Sequence, residues 1–357
     1  MPQTLSPAAG VATAVRRLAG MLATPLVPGD YLALLDPLNG GSALRGRIEA
    51  VRPETRDAAT LLIRPGRDWR PHVAGQYLRL GVDVDGVRHW RAYSLTSPPR
   101  PDGRISITVK AIPDGTVSQH LVRRVRPGAI VRLEQAAGEF TLPPELPARA
   151  LFVTAGSGIT PVMGMLRSAR LADAVLVLSA PTRDDVIFGA ELRALAARGR
   201  VRLVERHTDS DGMLSTDELA ALVPDLATRR TWACGPVGML DALERHFAAI
   251  GVRERLYTER FRPAVVAAGE GGTVTLGATT VQAGPATTIL DAAEGAGVLM
   301  PSGCRMGSCF GCVLPLRDGA VRDLRSGDLT IAADGVLVQT CVSAAAGPCT
   351  LDLRSSA

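Results

Sequence analysis

The sequence predicts a multi-domain chain: an antiparallel β-barrel, then an α/β unit on a parallel sheet, then a small strand-rich unit around a cysteine loop. Three observations carry this. Short apolar runs separated by Gly, Pro and Asp recur between Leu44 and Phe140. From about Pro147 short strands alternate with helical stretches. Five of the six cysteines fall after Gly272. A chain of 357 residues is long enough for each unit to bury its own core.

Residues 1–44 read as an accessory segment. Val11, Val15, Leu18 and Leu22 fall at helical spacing beside Arg16 and Arg17, and Leu32, Leu34, Leu35 and Leu38 follow before a break at Asn39-Gly40-Gly41. Such a helix packs on its own protein or lies on a membrane surface or partner. Six candidate strands follow, at 47–51, 59–64, 76–82, 89–95, 104–110 and 129–134, and their spacing predicts a small antiparallel barrel over 45–147. Over 148–262 the strands at 150–154, 174–179, 201–205 and 231–233 alternate with a helix beyond Pro161 and helices at 190–197, 216–222 and 238–249, the pattern of a parallel sheet with crossover helices. A linker rich in Ala, Gly and Val spans 263–272. The last unit, 273–357, reads strand (273–276), strand (279–282), helix (289–295), cysteine loop and short strands.

Composition excludes several classes. No apolar run approaches the roughly 20 residues of a membrane-spanning helix, and no secretory signal is visible. A cytoplasmic location, with at most peripheral attachment to the inner face of the membrane, is the expectation. The formal charge of +5 is carried almost wholly by arginine, since Lys110 is the only lysine. No dense basic run interleaved with aromatics is present, so nucleic acid is not an expected partner. Charge is uneven: side chains from Pro263 onward sum to −3, which leaves +8 on the rest. That asymmetry predicts that the last unit docks on the body through complementary charge and swings on the linker to reach an external partner.

The cysteines carry the strongest signal. Cys304, Cys309 and Cys312 form C-x4-C-x2-C, and Cys341 follows after 28 intervening residues. This is the ligand spacing of a plant-type 2Fe–2S cluster. Gly303, Gly307 and Gly311 suit a loop whose backbone must approach the sulfides closely. Zinc sites favour paired C-x2-C knuckles, and one such pair is present; disulfides are not expected without a secretory signal. Cys349 lies off the pattern and reads as a structural thiol. The stretch from Pro301 to Cys312 resembles the cluster loop of plant-type ferredoxins, a resemblance that covers the last 85 residues and implies a β-grasp fold. Phe310 stands where many members of that family have a small residue.

Two further groups of motifs precede it. Arg91-Ala92-Tyr93-Ser94 closes a predicted barrel strand and resembles the R-x-Y-S signature of the ferredoxin–NADP reductase family. Taken alone, Arg and Tyr at alternate strand positions also suit a solvated surface. An arginine neutralises a flavin phosphate, an aromatic ring stacks on the isoalloxazine, and a hydroxyl can hydrogen-bond near N5. Gly115-Thr116-Val117-Ser118 matches the family's second phosphate segment, where a helix N-terminus and Ser118 would hold a pyrophosphate, favouring FAD over FMN.

Gly156-Ser157-Gly158-Ile159-Thr160-Pro161 lies between a strand and a helix, where a glycine turn can bring backbone against a dinucleotide. Its G-x-G-x-x-P pattern is that of the reductase family. Cys234-Gly235-Pro236 matches the C-G-P that borders the nicotinamide, its thiol helping to position the ring. Glu259-Arg260-Phe261 resembles the E-x-F that closes the reductase module, with Phe261 covering the flavin until nicotinamide displaces it. Tyr93, Ser94, Cys234, Glu259 and Phe261 are thus the residues expected around the reacting rings. Ser179 and Arg183 follow the second strand of the α/β unit, where an NADPH-binding relative keeps a hydroxyl and an arginine; this leans to NADPH over NADH.

The order of motifs resembles bacterial three-part reductases that feed oxygenases, hydroxylases and desaturases. Residues 22–38 and 258–263 look most like actinobacterial reductases that serve membrane acyl-CoA desaturases. The resemblance implies electron flow from NAD(P)H through FAD and a 2Fe–2S cluster to an external acceptor, a membrane di-iron fatty-acid desaturase or an oxygenase. A reductase for a soluble ring-hydroxylating or phenylacetyl-CoA-type oxygenase, and a redox-sensing flavoprotein, stand as alternatives.

Overall fold

The computed structural model describes residues 36–39, 43–113, 115–261, 268–303, 305, 307 and 310–353. The helix expected in residues 11–22, part of the linker, Cys304 and Cys309 lie outside the described residues.

The first sheet contains β1 (Arg45–Thr55), β2 (Ala58–Pro65), β3 (Tyr77–Val84), β4 (Val87–Ser94), β5 (Ile105–Lys110) and β6 (Ile130–Leu133). They pair in the order β4-β3-β6-β1-β2-β5, antiparallel throughout. A bridge between Leu95 and Ile107 brings the two edges together, so the sheet closes on itself. Asp85 and Gly86 join β3 to β4 with φ of 51° and 81°, the left-handed pair that a two-residue hairpin needs to follow the strand twist. Ile48, Leu61, Ile63, Leu78, Leu80 and Ile107 fill the interior.

The second sheet is parallel, in the order β11-β10-β7-β8-β9: β7 (Arg149–Ala155), β8 (Asp173–Ala180), β9 (Arg202–His207), β10 (Arg230–Cys234) and β11 (Leu256–Glu259). Strand side chains alternate between faces. Phe152, Leu176 and Leu178 pack under the helices Ile159–Ser168 and Gly189–Ala197. Leu151, Val153, Val175 and Val177 pack under Thr216–Leu222 and Val237–Ala249. The helix expected beyond Pro161 in fact begins at Ile159. Proline is tolerated there because a first-turn N–H has no partner within the helix. Strand β11 is absent from the sequence reading: of its four residues only Leu256 is fully buried, so no apolar run marks it. Tyr257 stacks on Trp232 with ring centroids 5.2 Å apart.

The C-terminal sheet is mixed, in the order β13-β12-β17-β14-β15: β12 (Gly272–Leu276), β13 (Thr279–Ala283), β14 (Val313–Asp323), β15 (Leu329–Ile331) and β17 (Ser343–Leu351), with β16 (Leu337–Gln339) also on β14. β12 and β17 run parallel. The helix Ile289–Gly295, capped by the Thr288 side chain, turns Ile289, Leu290 and Ala293 into the core below the sheet. One helix held across a mixed sheet is the β-grasp arrangement.

Leu176 is fully buried between β8 and its helices. Leu176→Ala should therefore lower stability of the α/β unit by about 2–5 kcal/mol, whereas Leu329→Ala, at a 47% exposed position, should change it by less than about 0.5 kcal/mol. Denaturant unfolding followed by Trp232 fluorescence checks the first value and backbone circular dichroism the second.

Candidate functional site

Two cavities meet where the three units converge. The first, about 630 Å³, is walled on one side by Arg91, Tyr93 and Ser94 of β4 and by Gly115, Val117 and Ser118. Glu259 and Phe261 close it from the α/β unit, and Thr288, Leu290, Arg305 and Cys341 close it from the C-terminal unit. Its size lies within the roughly 300–1,000 Å³ of ligand pockets. The strand period puts Arg91 and Tyr93 on one face of β4. Burial pushes the Tyr93 phenol well above its ordinary range and pulls Arg91 down. The Ser94 hydroxyl is buried and meets no partner among the described residues. An orphaned hydroxyl at a cavity wall fits a ligand heteroatom, as a flavin ring would supply.

Gly115 precedes the short helix Thr116–Gln119 with no side chain capping it. A Cβ at Gly115 would run into the Ser118 hydroxyl and Ile112. Ser118 Oγ donates to the Gly115 carbonyl at 3.2 Å, and Val117 anchors the turn in the barrel core. The first N–H groups of a helix have no intrahelical partner, and residues 115–118 lie on the cavity wall, a setting that suits phosphate oxygens.

The second cavity, about 610 Å³, lies at the carboxyl ends of β7, β8 and β10, the expected place for a nucleotide in an open α/β sheet. Gly156, Gly158, Ser179, Gly235 and Pro236 line it, with Lys110, Ser157 and Phe261 shared between the two cavities. The two glycines of the turn do different work. Gly156 has φ of 55° and open space where a Cβ would stand. At Gly158 a Cβ would strike the Cys234 carbonyl, so this glycine lets two loops pack backbone to backbone. Thr160 donates to the Ser157 carbonyl at 2.9 Å and lines the first cavity. Pro161 is buried in the helix and lines neither. Arg183 is exposed in the turn two residues past Pro181 and is likewise not in the wall. Thr208, Met213 and Leu214 also line that wall and carry no motif that the sequence could reveal.

Cys234 and Glu259 are register partners on β10 and β11. Cys234 is fully buried and lines neither cavity; burial, with Glu259 nearby, holds its thiol well above the ordinary range. Burial also raises the Glu259 carboxyl to about 8, and its Oε2 has no partner among the described residues. A neutral carboxyl at neutral pH, on the wall of the first cavity, can donate or hold a proton there.

Of the four expected cluster ligands, Cys312 and Cys341 are described; both are buried, and Cys341 faces the first cavity. A hydrogen bond from the Cys341 side chain pulls the Cys312 thiol well below its ordinary value, toward the thiolate that ligates metal. The loop bends through Arg305 (φ 60°), Gly307 (φ 73°) and Phe310 (φ 55°). Arg325 and Gln339 both donate to the Gly307 carbonyl, at 3.1 and 3.0 Å, and a Cβ at Gly307 would collide with the Arg325 guanidinium. These two side chains escaped the sequence reading because neither belongs to the cysteine pattern. Cys349 lies in β17, packed against Gly319, with its thiol raised by burial to about 11, as a structural thiol would be.

A barrel with an arginine–tyrosine–serine strand facing a cavity, a glycine turn over a parallel sheet, and a cysteine loop on a β-grasp define a class: oxidoreductases that pass electrons from a nicotinamide through a flavin to an iron–sulfur centre. Family models agree unit by unit. The oxidoreductase FAD-binding domain matches residues 70–142, the oxidoreductase NAD-binding domain 152–245, and the 2Fe-2S iron-sulfur cluster binding domain 274–346. An NADPH oxidoreductase of Mycobacterium tuberculosis is 49% identical over 95% of this chain and 92% of its own length. The ferredoxin reductase component of 3-ketosteroid-9-alpha-monooxygenase from Mycolicibacterium smegmatis is 30% identical over 80% and 89%. The structure of phthalate dioxygenase reductase, 23% identical, superposes with a TM-score of 0.62 over 87% of this chain and 98% of that one, a likeness of fold. The chain belongs to the NAD(P)H-dependent ferredoxin reductase-type oxidoreductases that carry FAD, nicotinamide and 2Fe–2S domains in one polypeptide.

The raised Glu259 carboxyl has a signed consequence. Between its ordinary value near 4.5 and its folded value near 8 the folded chain holds a proton that the unfolded chain has lost. Stability from this group is therefore full below the lower value, falls as pH rises through the window, and is level above it. The slope approaches about 1.4 kcal/mol per pH unit in mid-window. Glu259→Gln should flatten that part of the stability profile and leave a more stable protein at its alkaline end. Denaturant unfolding across the window checks this; parallel profiles for the two proteins would contradict it.

Proposed function

We propose that the chain is the reductase of an oxygen-activating system, taking electrons from NADPH and delivering them singly to an external protein acceptor. The observation that carries this is the shared cavity: Ser94 of the barrel, Glu259 of the α/β unit and Cys341 of the C-terminal unit face one space. When bound there, FAD supplies the conversion between a two-electron hydride and single electrons that a 2Fe–2S cluster can relay.

The chain's own groups divide the remaining work. Arg91 and the turn at 115–118 hold phosphate, Tyr93 fixes the ring plane, and the Ser94 hydroxyl bonds a ring heteroatom. Phe261, 37% exposed and common to both cavities, covers the face that nicotinamide must reach. Glu259 holds a proton at Oε2 beside the same space. Gly235 and Pro236 line the floor on which the nicotinamide rests, and Cys234, buried beneath it, keeps that floor in register through the packing of Gly158 on its carbonyl. Cys304, Cys309, Cys312 and Cys341 ligate the cluster.

Two narrower readings complete the proposal. NADPH is the nucleotide: Ser179 and Pro181 line the second cavity, Arg183 follows two residues after Pro181, and the Mycobacterium tuberculosis relative is named for NADPH. The acceptor is an oxygenase-type protein, as the name of the 3-ketosteroid-9-alpha-monooxygenase component supports. Within that class we favour a membrane di-iron fatty-acid desaturase, on the likeness of residues 22–38 and 258–263. No described helix is long and apolar enough to cross a membrane. The protein would work from the cytoplasm, meeting such an acceptor at the inner face. Reconstitution with a detergent-solubilised desaturase and, separately, with a soluble oxygenase component distinguishes the acceptors by NADPH-dependent product; product with the second alone overturns the desaturase.

Cys341→Ser should abolish or destabilise the cluster and sharply lower cytochrome c reduction, while NADPH-driven ferricyanide reduction stays near the parent rate. Equal loss of both activities would contradict separate flavin and cluster steps. Arg183→Ala should raise the Michaelis constant for NADPH by roughly 10- to 150-fold, the scale of a hydrogen bond to a charged group, and leave that for NADH unchanged. Matching effects on both nucleotides would remove Arg183 from the 2′-phosphate site.

A further inference from the structure

Arg79 stands on β3, away from every motif in the sequence, and its side chain is largely buried. One guanidinium nitrogen, Nη2, donates to the backbone carbonyl of Ser302 at 2.7 Å. Ser302 lies 223 residues away in sequence, two positions before the first cysteine of the cluster loop. Nη1 donates to Glu134 Oε2 at 2.9 Å, and the guanidinium lies 5.4 Å from the centre of the Trp90 ring. The carboxylate and the ring therefore fix the guanidinium plane before it meets the loop, so little side-chain freedom is lost in making the contact. A second contact runs alongside: Arg91 lies 3.7 Å from Glu294 on the C-terminal helix, and Glu294 in turn pairs with Arg305 of the cluster loop.

We infer that Arg79 is a positioning residue for internal electron transfer: it holds the cluster loop, by the Ser302 carbonyl, against the flavin barrel and keeps Cys341 on the wall of the flavin cavity. The inference rests on the function proposed above and adds to it the part that sets the distance between the two redox groups. The latch differs from a contact between net charges. Asp291 and Glu294, the acidic groups nearest the barrel contact, are taken up chiefly by Arg305 of their own unit. The bond that crosses from Arg79 ends on a neutral carbonyl, whose position reports the path of the loop. An uncharged acceptor also makes the latch less sensitive to salt than an ion pair. Because transfer falls steeply with separation, loosening the latch slows the step between flavin and cluster and spares the step between nicotinamide and flavin.

The test uses the holoprotein and three variants: Arg79→Met, which keeps the stem and removes the donors; Arg79→Lys, which restores one donor; and Glu134→Gln, which keeps Arg79 and weakens its support. Hydrogen exchange of the segment 297–303 reads docking directly. Stopped-flow absorbance after mixing with NADPH reads flavin reduction and cluster reduction separately. In Arg79→Met the segment should exchange faster and cluster reduction should slow roughly tenfold, the scale of one lost charge-assisted hydrogen bond in the docked population. Flavin reduction should hold its rate. Arg79→Lys should recover part of both effects, and Glu134→Gln should show a smaller loss in the same step. Unchanged exchange with unchanged cluster reduction, or flavin reduction falling in parallel, overturns the assignment. A holoprotein lacking flavin or cluster absorbance would instead count against the proposed function, and the exchange measurement would still judge the latch.

Discussion

A cavity walled by all three units constrains everything else in the molecule. For electrons to pass inside one chain as proposed, the strand assigned to the flavin and an assigned cluster ligand must face each other, and here Ser94 and Cys341 line the same space. No single unit can build that space. The closed barrel supplies a stiff wall in β4, the parallel sheet brings Glu259 and Phe261 to its edge, and the β-grasp supports the cysteine loop from below. Each unit has its own buried core, so the shared site sits on three separately packed supports.

The electrostatics follow from the same geometry. Groups around the cavity are taken out of water, and their ionisation shifts in the direction that disfavours charge: Tyr93 and Glu259 rise and Arg91 falls. Charge is favoured where a partner is at hand, as at Arg325 beside Asp323. The site thus combines a dry interior, suited to electron transfer, with fixed donors at its rim, suited to phosphate and to backbone carbonyls.

Much of this was legible in the sequence, and what was not has a physical reason. The barrel and the parallel sheet followed from strand spacing and strand–helix alternation, because those periods come directly from burial on one face, and the β-grasp followed from the likeness of the cysteine loop to plant-type ferredoxins. Strand β11 was hidden because pairing with β10 and stacking of Tyr257 on Trp232 hold it in place rather than an apolar run. The glycine turn was recognisable, yet the reason for Gly158 was not, since its neighbour Cys234 is brought close only by the fold. Arg79, Arg325 and Gln339 were invisible for the same reason: each acts on a backbone carbonyl that is remote in sequence or outside any motif. One carboxylate of the acidic C-terminal unit does meet the basic body, Glu294 at 3.7 Å from Arg91, while it also pairs with Arg305 of its own unit.

The central claim is that flavin and cluster share one cavity within one chain, and the order of their reaction tests it most directly. Cluster reduction should be followed by stopped-flow absorbance after anaerobic mixing with excess NADPH, over a wide range of protein concentration. A first-order rate that does not change with protein concentration is expected, because donor and acceptor are held together by the fold. A rate that rises in proportion to protein concentration would show that electrons pass between molecules, and would contradict it.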